Sequence, residues 1–188
     1  MTIVLITSGV CFVIVVILAL WFVGMYNGLV RERNEVRNSW AQIDVQLKRR
    51  HDLIPNLVET VKGYAAHEKS TLESVVQARA RAVSAEGVAD RARAESELGG
   101  ALGRLMLVVE QYPDLKANQN FLALQEELTS TENKIGFARQ YYNDSVMKYN
   151  TRIQSVPTNI AASMFNFQQE DFFELEDQAE REVPQVTF

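Results

Sequence analysis

The chain has 188 residues, 47% hydrophobic and 23% charged, with 9 glycines and 4 prolines, a composition that excludes a disordered or collagen-like polymer and favours long helices over many short strands. Its net charge of −5 is concentrated late, where Glu170, Asp171, Glu174, Glu176, Asp177, Glu180 and Glu182 stand against Arg181 and leave the rest close to neutral, so the basic stripe that nucleic acid demands is missing. The only cysteine, Cys11, lies in an apolar stretch, which rules out an intrachain disulfide framework or thiolate metal cluster.

No charged side chain occurs from Met1 to Val30. Within that stretch Ile3 to Met25 would form a helix of about 34 Å, against a hydrocarbon core of about 30 Å. Fifteen of those positions are Ile, Val, Leu or Phe, each favouring insertion by roughly 0.3 to 0.6 kcal/mol. The expectation is an uncleaved transmembrane helix over 1–26. A cleaved signal peptide would want a basic stretch before a shorter apolar run. Lipoprotein processing at Cys11 is the sharper alternative, but Ser8-Gly9-Val10 puts a branched residue where a small one is wanted. Trp21 and Tyr26 suit the aromatic belt. Arg31, Arg33 and Arg37 crowd the following flank, so the positive-inside rule places the domain on the cytoplasmic face of a bacterial inner membrane, the opposite side being the alternative.

Helical periodicity resumes at once. Leu29, Val36 and Ile43 recur every seven residues, with Trp40 and Leu47 between them. Arg33, Glu35, Arg37, Lys48, Arg49 and Arg50 read as a solvated opposite side, a patch for lipid headgroups or a partner being the alternative. Asp52 and Pro55 predict a bend near His51 to Ile54 and a second helix running to about Ser84, with Gly63 as its weak point and Gly87 as the turn. A third helix is predicted from about Val88 to Tyr112, its Gly99, Gly100 and Gly103 allowing close approach of a neighbour, and Pro113 and Asp114 end it. The fourth carries Phe121, Leu128, Ile135, Tyr142 and Tyr149 at intervals of seven and stops at Pro157. Four amphipathic helices without strand signals pack most simply as an all-α antiparallel bundle over 27–157, continuous with the membrane helix and followed over 158–188 by a short helix and an acidic, Phe-containing tail. The heptads also admit a coiled coil between subunits.

Residues that would carry chemistry are sparse. His51 and His67 stand sixteen apart, not at the spacing of a helical metal pair, and each reads as a structural or surface histidine. Asp44, Glu59 and Glu68 lack the Glu-x-x-His pattern of a di-metal bundle. Gly99-Gly100-Ala101-Leu102-Gly103 lies in a helical pattern rather than after a strand, so it is no phosphate loop. No catalytic residue, cofactor or metal is expected. Packing or partner positions are a different matter. Asn27, Asn34 and Asn38 share a helical face and Asn143 and Asn150 are seven apart, spacing at which amides either fix the register of an interface or lie at its boundary in water. Trp40 is a further packing candidate. Met164, Phe165, Phe167, Phe172 and Phe173 sit near or among the carboxylates and would cap the bundle or dock on a partner. Val186-Thr187-Phe188 has the form that peptide grooves capture by strand addition.

The stretch from Tyr26 to Glu68, Y-N-G-L-V-R-E-R-N-E-V-R-N-S-W-A-Q-I-D-V-Q-L-K-R-R-H-D-L-I-P-N-L-V-E-T-V-K-G-Y-A-A-H-E, resembles the signature region of the LemA family of bacterial membrane proteins. Y-P-D-L-K-A-N-Q-N-F from Tyr112, E-L-T-S-T-E-N-K-I from Glu127 and Y-N-D-S-V-M-K-Y-N from Tyr142 extend the likeness, which thins beyond Pro157. The resemblance implies a single anchor, a helical bundle and no catalytic set. One branch of the family is associated with the magnetosome membrane, which implies a scaffolding or membrane-shaping role. The expected function is therefore a non-enzymatic scaffold on the bilayer that forms homo-oligomers or recruits a protein partner. The alternative is an accessory regulator or adaptor of another membrane protein such as a protease, with a metal-dependent hydrolase a distant third.

Overall fold

The first helix, α1, runs without interruption from Thr2 to Lys62. The structure, a computed structural model, describes residues 2–174. After α1 come α2 (Lys69–Ser84), α3 (Val88–Val109), the single turn α4 (Pro113–Lys116), α5 (Gln119–Gln154) and α6 (Thr158–Met164), with no strand among the described residues. The chain is a helical bundle led by one long apolar helix. Among the described residues that helix is the one element long and apolar enough to cross a membrane, and its apolar window buries nothing against the rest of the protein. Cys11 is exposed there.

The bend expected near His51 to Ile54 does not occur, and Asp52 caps no new helix. Pro55 lies inside α1, although a proline has no N–H to give the carbonyl four residues earlier. That carbonyl belongs to His51, and Arg79 of α2 donates its Nε–H to it at 2.7 Å. A side chain from the neighbouring helix thus replaces the bond that Pro55 cannot make, and the helix carries on. The break comes at Gly63, where Ala65 N–H turns back to the Val61 carbonyl at 2.8 Å and buries its methyl. The second helix is accordingly α2 alone.

The described residues divide into two compact units: residues up to Trp40 with Asn143–Glu170, and Ala41–Tyr142 with residues from Asp171. In the larger unit, Ile54, Leu57 and Val61 of α1 join Leu72, Val75, Ala78 and Ala82 of α2, Leu98, Ala101 and Leu105 of α3, Leu115 of α4 and Phe121 of α5 in one core. Burying a Leu, Ile, Val or Phe side chain in such a core is worth roughly 1.5 to 3 kcal/mol, which makes this core, rather than any surface ion pair, the main source of its stability. Local signals agree with the element ends. Gly87 precedes α3 at φ +76°, a region that favours glycine. Asn118 caps α5, its Oδ1 accepting from the N–H groups of Asn120 at 2.9 Å and Phe121 at 3.1 Å.

The smaller unit buries Leu29 and Val36 of α1, Val146 and Tyr149 of α5, Ala161 and Ala162 of α6, and Phe167. The glycines of α3 do not mediate the expected backbone approach. A methyl at Gly103 would meet nothing within 4 Å, and one at Gly99 would only touch the Arg50 guanidinium at 3.5 Å. Gly28 is the crowded one, since a methyl there would collide with the guanidinium of Arg152.

Candidate functional site

Two features of the larger unit stand out, one polar and buried, the other apolar and open. The polar one is built around Glu95 on α3, only 3% exposed. Its Oε1 lies 2.6 Å from His51 Nε2, and its Oε2 lies 3.4 Å from Arg50 Nη1. Arg50 Nη1 also reaches Glu132 of α5 at 3.2 Å. One carboxylate therefore holds two consecutive residues of α1 and, through Arg50, a third helix. A buried ion of this kind persists because its desolvation is offset by partners on each oxygen. The cluster borders a cavity of about 350 Å³ lined also by Gly99, Ile135 and Phe173. With its charges answering one another, the arrangement works as a lock between α1, α3 and α5.

The apolar feature is a groove of about 610 Å³ between α1 and α5, lined by Val45, Phe137, Ala138 and Tyr141, with Gln42 and Lys134 at its rim. Phe137 is 75% exposed and Val45 62%. A large aromatic so open is costly to leave in water, and contiguous apolar patches on a surface mark sites of association. Phe137 and Tyr141 are one helical turn apart, so they form a ridge of the kind that fits the groove of another helix.

The smaller unit has its own polar pair. Arg152 Nη1 donates to Glu32 Oε1 at 2.7 Å, and Lys148 lies 3.9 Å from the same atom. Glu32 Oε2 is buried without a hydrogen-bond partner. The fully buried Tyr149 hydroxyl is likewise unpartnered. Burial raises its pKa above the ordinary tyrosine value, Glu170 adds to the rise, and Arg33 and Arg37 oppose it. In the larger unit the Tyr112 hydroxyl donates to Glu68 at 3.3 Å. Its pKa is also raised, by desolvation first and then by the Glu68 charge.

Of the positions singled out from sequence, Asn27, Asn34 and Asn38 are exposed, and Trp40 and Asn143 are half-buried. Asn150 is buried, and its amide clasps the backbone of Glu170 from both sides, donating to the carbonyl at 2.8 Å and accepting from the N–H at 3.0 Å. It thus ties the segment at Glu170 to α5. Phe173 is buried and Phe172 exposed, while the Tyr142 hydroxyl donates to the Asp171 carbonyl at 2.8 Å. Phe167 is buried in the smaller unit. Val186 and Phe188 lie outside the described residues, as does most of the acidic run. His67 is exposed. Among the described residues no three His, Cys, Asp or Glu side chains gather as a metal site; Asp44 pairs with Arg91, and Glu59 with Lys62.

Arg50 is a correction, because it was expected on the solvated side and is only 7% exposed. The signal was present in the spacing. Leu29, Glu32, Val36, Ser39, Ile43, Leu47, Arg50, Ile54, Leu57 and Val61, at steps of three or four, are all buried. Glu32, Ser39 and Arg50 occupy the stripe itself, and residue type rather than position had assigned Arg50 to solvent. Glu95 sits in the same way between Ala92 and Leu98 on α3.

The model of the LemA family matches residues 39–188. The chain is similar to Protein LemA of Metamycoplasma hominis, 29% identical over 75% of this chain and 65% of that protein. It is also similar to Magnetosome protein MamQ of Magnetospirillum gryphiswaldense and Magnetosome protein MamQ 2 of Paramagnetospirillum magneticum, each 26% identical over 79% of this chain and 64% of the relative. The match thus spans just under two thirds of the length of these relatives.

Proposed function

The chain belongs to the LemA family, and from that premise we propose that it is a membrane-anchored, non-enzymatic scaffold whose helical domain recruits a protein partner, or a second copy of itself, beside the bilayer. The apolar start of α1 crosses the membrane, and Arg31, Arg33 and Arg37 hold the domain on the cytoplasmic side of a bacterial plasma membrane. The observation that carries the reading is the open ridge of Phe137 and Tyr141 facing Val45 across a groove with a mixed polar rim. Its geometry suits one added helix, and anchoring confines partners to the membrane plane, so that a weak contact is populated. A photo-crosslinking amino acid in place of Phe137, activated in native membranes, tests it. A discrete higher-mass species is expected, lost when Val45→Glu puts a charge into the groove. Monomer alone, with no co-purifying protein, overturns the scaffold reading.

A further inference from the structure

We infer that α6 and the residues flanking it form a second membrane contact, lying in the headgroup and acyl boundary of the same leaflet from which α1 emerges. The chain between Arg152 and Glu170 carries no charged side chain. Within it, α6 turns its small residues inward, Thr158, Ala161 and Ala162 being buried. Its large apolar residues face out, Met164 being 67% exposed and Ile160 57%, and the flanking Val156 and Phe165 are exposed at 80% and 49%. A soluble surface helix has the reverse pattern, with polar residues outward. Such a face fits an apolar phase rather than water.

The aromatic contacts say which phase covers it. The Phe165 ring lies 4.7 Å from that of Tyr26 and 6.2 Å from that of Phe22, and Phe167 lies 5.8 Å from Tyr26. Phe22 and Tyr26 belong to the last turns of the uncharged run of α1, the level at which aromatic rings sit in a bilayer interface. Phe165 is therefore level with the end of the span, and the apolar face of α6 is continuous with the exposed apolar surface of α1. Polar anchors lie just beyond. Arg33 stacks 4.9 Å over Phe167, Arg31 and Arg37 are exposed, and the Lys148 side chain is open beside Glu32. Basic residues one or two turns above an apolar face are placed to meet lipid phosphates. The polar side chains of the segment, Asn, Gln, Ser and Thr, are uncharged, as partial immersion at this depth requires.

This inference rests on α1 crossing the bilayer, and its test separates the two. The full chain with Cys11→Ser is reconstituted in phosphatidylcholine vesicles containing phosphatidylglycerol. Single cysteines at Ile160→Cys, Met164→Cys, Phe12→Cys and Glu126→Cys carry an environment-sensitive fluorophore. At 160 and 164 a blue shift is expected, with loss of iodide quenching relative to 126 and quenching by a shallow doxyl-labelled lipid. Phe12→Cys should be quenched by the deep doxyl lipid. If 160 and 164 are quenched by iodide as fully as 126 while 12 stays lipid-quenched, α6 does not touch the membrane and the inference falls alone. Iodide access to 12 refutes the span as well. Protection at 164 from both iodide and lipid, with cross-linking between copies, shows that a second protomer covers the face and overturns the proposal.

Discussion

The proline inside α1 gives the most direct test of how the larger unit is held together. In the native chain the His51 carbonyl has no helical donor, and Arg79 supplies the bond at 2.7 Å. Arg79→Met keeps most of the aliphatic stem and removes the guanidinium, leaving a partly shielded carbonyl unsatisfied. The cost of such a group is about 1 to 3 kcal/mol, and partial access to water argues for the lower half, about 1 to 2 kcal/mol. Pro55→Ala restores an N–H four residues on from His51, so the carbonyl regains its intrahelical donor. In that background Arg79→Met should cost no more than a few tenths of a kcal/mol for lost packing. The difference between the two backgrounds, a coupling of about 1 kcal/mol or more, isolates the substitution of one donor by another. Urea unfolding of the detergent-solubilised full chain, followed by the helical circular dichroism signal, measures all four proteins. Equal costs of Arg79→Met with and without Pro55 would refute the idea that Arg79 stands in for the missing helical bond.

Other outcomes follow from the same geometry. Glu95→Gln removes one of the two carboxylates that compensate Arg50 and, with Glu132 remaining at 3.2 Å, is expected to destabilise by about 1 to 3 kcal/mol; the pair Arg50→Met with Glu95→Leu should recover most of it, as read by the same unfolding midpoint. Tyr149 has a pKa raised chiefly by burial, so the unfolded chain loses that proton first as pH rises past about 10. Stability is therefore full below that pH and falls as pH climbs toward the folded value. Tyr149→Phe should flatten part of the alkaline decline in melting temperature, and an identical decline in both proteins would count against the burial effect. Phe137→Glu, at an exposed position, should change stability by no more than about 0.5 kcal/mol while abolishing any self-association seen by crosslinking; unfolding of that variant would show that the residue serves the core.

Much of the architecture was legible in the chain because helices advertise their buried face at a fixed period. The heptad of Phe121, Leu128, Ile135, Tyr142 and Tyr149 marks α5, and the uncharged run before Arg31 marks the membrane-competent part of α1, with no knowledge of any neighbour. What failed was the bend at Pro55. Local chemistry makes proline a helix breaker, and the donor that cancels its effect comes from Arg79, twenty-four residues away.

The same division separates the sites. The spacing of the buried stripe passes through Glu32 and Arg50 and, on α3, through Glu95, yet residue type alone reads Arg50 as solvent-facing and singles out neither glutamate. Whether a charge can remain there depends on partners from other helices, His51 and Glu132 among them, and on their distances; only the folded packing supplies those. The outward apolar face of α6 is a tertiary fact for the same reason: Ile160 and Met164 look like ordinary core residues until Ala161 and Ala162 are found occupying the inside. Period and hydrophobicity are local properties of a chain, whereas the satisfaction of a buried polar group and the choice of which side faces out belong to its neighbours.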